Sequence, residues 1–310
     1  MPGDLWDGPP RPGGLKAAIA AYYREEFGDE IEEERIQLCA STSEGYSYCF
    51  KLLADAGDEI LIPRPSYPLL SHLIGAEALR AVEYVTHFAA GQWILDREYL
   101  LRQVNERTRA VVVVTPNNPT GHLWTQEDLD WLDAALPENV AIVTDEVFAD
   151  YRWQGKLAHI PRRAFRLSGL SKICALPQMK IGWIVLPPVV GVAEAMEFVG
   201  DTYLSVSGPI AERAAAWLAS RFGFQRPVQE RCRENLARLG GGVEAGWVKI
   251  AEGPGDRDEE SVALEMLERG FWVQPGYFYD LPLRESYVLS LLTPPEDLAA
   301  GLEALSSCGR

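Results

Sequence analysis

No stretch of the 310-residue chain approaches the ~20 consecutive apolar positions that a membrane-spanning helix needs. The first residues, Met1 to Trp6, lack a basic segment followed by an apolar one, so no signal peptide is expected and the chain reads as cytoplasmic. Cysteine is sparse: Cys39, Cys49, Cys174, Cys232 and Cys308 are scattered and odd in number, with no C-x-x-C pair and no metal-ligand spacing. That pattern favours reduced thiols in or near the core over a disulfide framework, and no metal is expected. Positive charge is in short supply, with 29 basic residues against 45 acidic and a net charge of −16. Such a chain repels nucleic acid and anionic lipid, and an anionic ligand would need a local positive site built against the global field. Internal repeats and low-complexity tracts are also absent.

What is present describes a globular protein. Hydrophobic residues make up 47% of the chain and charged residues 24%, and the length suits one large or two moderate domains. Residues 8–14 are rich in Gly and Pro and should be irregular. Residues 15–27 read as an amphipathic helix with Leu15, Ile19, Tyr22 and Tyr23 on one face. Seven apolar runs of strand length follow, at 36–39, 59–62, 81–85, 110–115, 140–144, 164–167 and 181–186, separated by helical or turn segments. Val111 to Val114 is β-branched throughout, as in a strand buried on both faces. This alternation predicts an α/β fold, a mostly parallel seven-stranded sheet sandwiched by helices. Ligands of such sheets bind where loops leave the carboxyl ends of the strands. Beyond Tyr203 the rhythm becomes α+β, with helices expected at 210–222, 231–239, 258–269 and 296–305 and short strands at 247–250, 272–274 and 287–291. Two domains are expected: a large one over 14–221, and a smaller one over 222–310 packed with residues 1–13.

Three segments at predicted strand ends carry unusual residues. Thr115-Pro116-Asn117-Asn118-Pro119-Thr120-Gly121 reads as a tight turn, or as a turn whose Asn amide donates to a ligand. Asp145 and Glu146 end a hydrophobic strand, where a carboxylate is costly unless paired; a helix cap followed by an acidic turn is the equal alternative. Lys172 closes the turn Ser168-Gly169-Leu170-Ser171-Lys172, as a surface lysine or as a buried functional amine.

Together these segments resemble the aminotransferase class I/II family, the fold-type I enzymes that use pyridoxal 5'-phosphate (PLP). Asn118, Asp145 and Lys172 are evenly spaced, 27 residues apart in each case. The resemblance implies that Lys172 holds the cofactor as a Schiff base and that Asp145 pairs with its pyridine nitrogen. Asn118 would then serve its phenolic oxygen. Tyr67, in the stretch Gly57 to Pro68, would stack on the ring. Thr42 and Ser43 would hold the phosphate at a helix start, with Lys180 as a point charge in place of a family Arg. The expected reaction is transamination between an amino acid and a 2-oxo acid, catalysed by Lys172 and Asp145. The alternatives are another PLP reaction on the same scaffold, such as β- or γ-elimination or replacement or cyclisation, and a PLP-fold regulator without activity. A homodimer is expected, with residues 203–207 near the partner.

Several positions depart from the family pattern. Phe148 stands where a Tyr hydroxyl would reach the phenolic oxygen. Gly169 stands where a phosphate-binding Ser or Thr is usual, leaving Ser168 or Ser171 to substitute. Leu289 falls where an Arg would clamp the substrate carboxylate, with Arg284 nearby on the preceding loop. The N-terminal arm is short, and Trp6 falls near a position that the family lends to the partner's phosphate site. The stretch Glu244 to Trp247 resembles a family segment of the small domain, and Gln274 to Phe278 a family turn near the substrate mouth; both could equally be packing and turn chemistry.

Overall fold

The structure is a computed structural model, and it describes residues 14–204, 206–253 and 257–308. Its main sheet has eight strands: β1 (Ile36–Cys39), β2 (Glu59–Arg64), β3 (Arg80–Ala89), β4 (Gln92–Leu95), β5 (Thr108–Val114), β6 (Ala141–Asp145), β7 (Ala164–Gly169) and β8 (Gly182–Val185). They lie in the order β1-β8-β7-β6-β5-β2-β3-β4. The central run from β3 through β2, β5 and β6 to β7 is parallel, while β1, β8 and β4 join antiparallel. Burial on both faces follows from the side-chain alternation of a strand. Val112 and Val114 pack in one core cluster with Tyr46, Phe50 and Leu167, whereas Val111 and Val113 pack in another with Leu61, Leu129 and Leu132. Helix Leu15–Phe27 buries the expected Leu15, Ile19, Tyr22 and Tyr23 against Trp183 and Val185. It ends at Gly28, whose φ of 73° suits glycine and whose N–H reaches the carbonyls of Tyr23 and Arg24.

The expected seven strands are all present, and the sheet carries one more. β4 pairs with an extension of β3, Thr86 opposite Leu95 and Ala89 opposite Gln92, through a turn at Ala90 and Gly91. This edge ribbon was missed because Phe88 and Ile94 alternate outward into solvent, so no continuous apolar run marks it. The expected helix 231–239 is the end of a longer one, Arg221–Arg238, which continues through Pro227. Proline removes one backbone donor and normally reads as a break. The expected helix 210–222 is observed as Gly208–Ala219. A separate antiparallel sheet contains β9 (Val248–Glu252), β10 (Gln274–Pro275) and β11 (Ser286–Ser290), in the order β10-β11-β9. Helices Glu259–Glu268 and Pro295–Ser307 accompany it. The Gly/Pro-rich start and Trp6 lie outside the described residues.

One close approach fixes how the turn after β5 meets the chain leading into β9. Gly121 has φ +70°, and a Cβ there would sit 2.5 Å from the Ala245 carbonyl oxygen and 2.9 Å from Val243 Cγ1. Gly121→Ala should therefore lower unfolding stability by about 3 kcal/mol, combining overpacking with a left-handed backbone. Gly223→Ala is the control: nothing lies within 4 Å of its added methyl inside helix Arg221–Arg238. It should stabilise by up to about 1 kcal/mol. Urea denaturation of both variants measures the contrast, and equal effects would contradict the packing argument.

Candidate active site

Strand register brings the three unusual segments to one edge of the sheet. Val114 of β5 pairs with Asp145 of β6, and Asp145 pairs with Leu167 of β7. The chain leaves β5 into the Asn118 turn, and β7 runs directly into the short helix Leu170–Ile173 that carries Lys172. Thr115 N–H donates to the Asp145 carbonyl at 3.0 Å, and Glu146 N–H to the Leu167 carbonyl at 2.9 Å.

The adjacent carboxylates Asp145 and Glu146 have opposite roles in the structure. Glu146 is sealed in an ion pair, its carboxylate accepting from Arg166 Nε at 2.7 Å and Nη2 at 3.0 Å. The same guanidinium reaches Asp29 at 2.5 Å. Asp145 accepts only neutral donors, the Tyr46 hydroxyl at 3.0 Å and the Val147 N–H at 3.1 Å. Burial pushes its carboxyl up to about 6, against the pull of those two hydrogen bonds and of Lys172. Lys172 is pushed below its ordinary value, again by burial, with Asp145 opposing. Its ammonium lies 5.0 Å from the Trp247 ring centre and 5.4 Å from that of Phe148. Those two rings meet edge to face at 5.6 Å.

A cleft of about 680 Å³ opens from this point, lined by Asn118, Phe148, Lys172, Trp247, Gln274 and Tyr279 among others. Asn118 Oδ1 and Ser168 Oγ are buried without a hydrogen-bond partner. Buried polar atoms normally have one, so both are available to a ligand. Thr42 and Ser43 open helix Thr42–Leu53, which Ser41 caps by accepting from the Glu44 N–H at 3.2 Å. β8 presses on this helix start, since a Cβ on Gly182 would lie 3.0 Å from the Ser41 carbonyl carbon. Tyr67 is partly exposed and close enough for the Asp145 charge to help raise its phenol, after burial itself. Ser171 is half-buried and Lys180 exposed, the latter near enough to Cys39 at the end of β1 to act on its thiol. Arg284 is exposed and does not line the cleft, where Leu289 does.

The model of the family "Aminotransferase class I and II" matches residues 9–245. The chain belongs to this family. Aspartate aminotransferase of Geobacillus stearothermophilus is 27% identical over 228 residues, 70% of this chain and 56% of the relative. Valine–pyruvate aminotransferase of Mycobacterium tuberculosis is 28% identical over 188 residues, 56% of this chain and 46% of the relative. The match thus spans about half the length of these curated relatives. The solved structure of alanine aminotransferase from Pyrococcus furiosus has a TM-score of 0.83 at 22% identity, covering 98% of this chain and 84% of that one. Aspartate aminotransferase from Thermotoga maritima also scores 0.83 at 22% identity, covering 95% and 82%. These structures share the fold of the family member described here.

Sequence reasoning missed two residues that touch this site, and a third was left open. Tyr46 lies one turn into the helix that Thr42 opens, and only the folded chain brings its hydroxyl to Asp145. Tyr279 lines the cleft from a short 3₁₀ turn. Trp247, left open between a family segment and plain packing, stands over Lys172.

Two measurements separate the paired carboxylates. Glu146→Gln should cost about 3 kcal/mol in unfolding free energy, because it leaves the buried Arg166 charge with Asp29 alone as its ionic partner. Asp145 behaves oppositely. Its folded carboxyl titrates at about 6, above an unfolded carboxylate, so its contribution is full below pH ~4 and is lost as pH rises through 6. Asp145→Asn should remove a decline of roughly 2–3 kcal/mol between pH 4 and 7 in the ligand-free protein. Denaturant titrations at several pH values read this directly, and an unchanged slope would contradict the burial of an uncompensated charge.

Proposed function

We propose that this chain is a PLP-dependent aminotransferase exchanging amino groups between an amino acid and a 2-oxo acid. The observation that carries the reading is the buried Asp145 carboxylate, held by neutral donors only, beside a lysine whose amine burial pushes toward the neutral form. The residues fit the cofactor in three respects. Asp145 offers a negative charge to a protonated ring nitrogen. Asn118 and Ser168 bring unpartnered polar atoms. The helix start at Thr42 and Ser43, with Ser171 and Lys180, supplies local positive potential for a phosphate in a chain of net charge −16. When bound, PLP supplies an electron sink for charge that develops at the substrate's α-carbon.

The chain's own residues do the rest. Lys172 would anchor the cofactor, and its Nζ, once free, would carry the α-proton from the substrate's α-carbon to the cofactor's C4'. A depressed amine serves both tasks because it is deprotonated more often near neutral pH. Asp145 keeps the ring nitrogen's proton in place, with Tyr46 and Val147 fixing the orientation of its carboxylate. Tyr67 would cover the ring, and Phe148, which has no hydroxyl, would leave Asn118 to serve the phenolic oxygen. The proposal divides the chain into a large unit over 14–221 and a small unit over 222–310 with 1–13, and includes a cytoplasmic homodimer. Phe198 and Leu204, 73% and 64% exposed near residues 203–207, support a partner-covered face.

Lys172→Ala should abolish the visible absorbance of the attached cofactor and all turnover. Wild-type protein given an amino donor alone should release one equivalent of 2-oxo acid and then stop until an acceptor is added. Continuous release of 2-oxo acid and ammonia without acceptor would place the chain among eliminating enzymes instead.

A further inference from the structure

The helix that opens at Thr42 meets the candidate site twice. Thr42 and Ser43 stand at its start, and Tyr46 follows Thr42 by one helical turn, on the same face. The Tyr46 hydroxyl donates to Asp145 Oδ2 at 3.0 Å, while Oδ1 accepts from the Val147 N–H at 3.1 Å. Tyr46 and Asp145 are both buried inside the one chain, so their contact needs nothing from a neighbouring subunit. Close packing seats this helix on the sheet. A Cβ on Gly45, the residue before Tyr46, would lie 3.2 Å from Leu167 Cδ2 and 3.4 Å from Cys39 Sγ. Burial, and then the Asp145 charge, push the Tyr46 phenol well above its ordinary value, so it remains a donor near neutral pH. A hydrogen bond to a carboxylate favours its charged form, and a charged Asp145 is what a protonated ring nitrogen needs opposite it. The Val147 N–H would be there whatever side chain followed Asp145, whereas the phenol depends on residue 46.

We propose that Tyr46 is a positioning residue for the cofactor's ring nitrogen, whose hydroxyl keeps Asp145 charged as well as oriented, from the same helix whose first turn is assigned to the phosphate. This rests on the PLP reading above and adds a residue to that site. The alternative is a core tyrosine whose buried hydroxyl has merely found a partner. The two differ in what they ask of the ligand. Positioning acts through the pair of Asp145 and a protonated ring nitrogen, so it matters only to a ligand that has that nitrogen. Packing matters equally to any ligand of the same shape.

The test compares PLP with its deaza form, in which a C–H replaces the ring nitrogen, by equilibrium dialysis against wild-type and variant protein. Tyr46→Phe should weaken PLP binding at least about tenfold and deaza-PLP binding by less than about threefold, because a hydrogen bond to a charged group is lost only where that charge has a partner to serve. In Asp145→Asn protein, Tyr46→Phe should no longer separate the two ligands. A second readout uses ligand-free protein. The Asp145 carboxyl titrates at about 6, with Glu146 and Lys172 acting on it and Tyr67 nearby. Without the phenol it should titrate higher, so the loss of stability that begins near pH ~4 should run on past pH 6 in Tyr46→Phe. Equal losses for the two ligands, or no loss for PLP, overturn the inference and leave the cofactor reading intact, since wild-type protein still binds PLP. An unmoved titration in the ligand-free variant also overturns it. If wild-type protein binds neither ligand, the cofactor reading falls and the inference with it. Should Tyr46→Phe not fold, Tyr46→Met is read by the same ratio of the two ligands.

Discussion

A carboxylate buried at the end of a parallel strand is an expensive thing for a protein to keep, and the site is organised around that cost. Asp145 is almost fully covered and has only Tyr46 and a backbone N–H as donors. Its neighbour Glu146 shows what the fold does when charge is to be neutralised structurally, with a bidentate guanidinium from Arg166. Placing the two side by side, one satisfied and one not, leaves a negative potential directed at the cleft instead of being cancelled inside the core. Lys172 feels that potential but makes no ion pair with it, so its amine is held between desolvation and attraction.

Sheet register explains why the chemistry collects where it does. With β5, β6 and β7 parallel and in line, the residues that follow each strand emerge at one edge whatever the loops between them contain. That is why the segments holding Asn118, Asp145 and Lys172 stood out in the amino-acid order, each at the end of an apolar run, while the roles expected of them came from the resemblance to the family. Tyr46 did not, because one helical turn decides whether its hydroxyl meets β6 or the solvent. Tyr279 sits in a two-strand corner with little pattern of its own. Trp247 could be read as packing, and it is packing, against Phe148 and Tyr151. Its position over Lys172 depends on an approach between segments that no local signal records. The β4 ribbon and the helix carrying Pro227 failed for the converse reason, since local signals argued against elements that tertiary contacts sustain.

Charge and apolar surface divide the labour of recognition. The net charge of −16 discourages anions in general, and Lys172 is the basic residue among the described residues that line the cleft. Around it polar and apolar side chains alternate, Gln274, Ser290 and Thr293 beside Val273, Leu289 and Leu302.

The close approach of Gly121 to Ala245 brings together two segments that both contribute to the cleft. The Asn118 turn and the segment entering β9 touch backbone to backbone, with no side chain between them to absorb displacement. Trp247 lies two residues beyond that contact and Asn118 three residues before it. Packing at this one glycine therefore bears on the spacing of two residues that line the cleft.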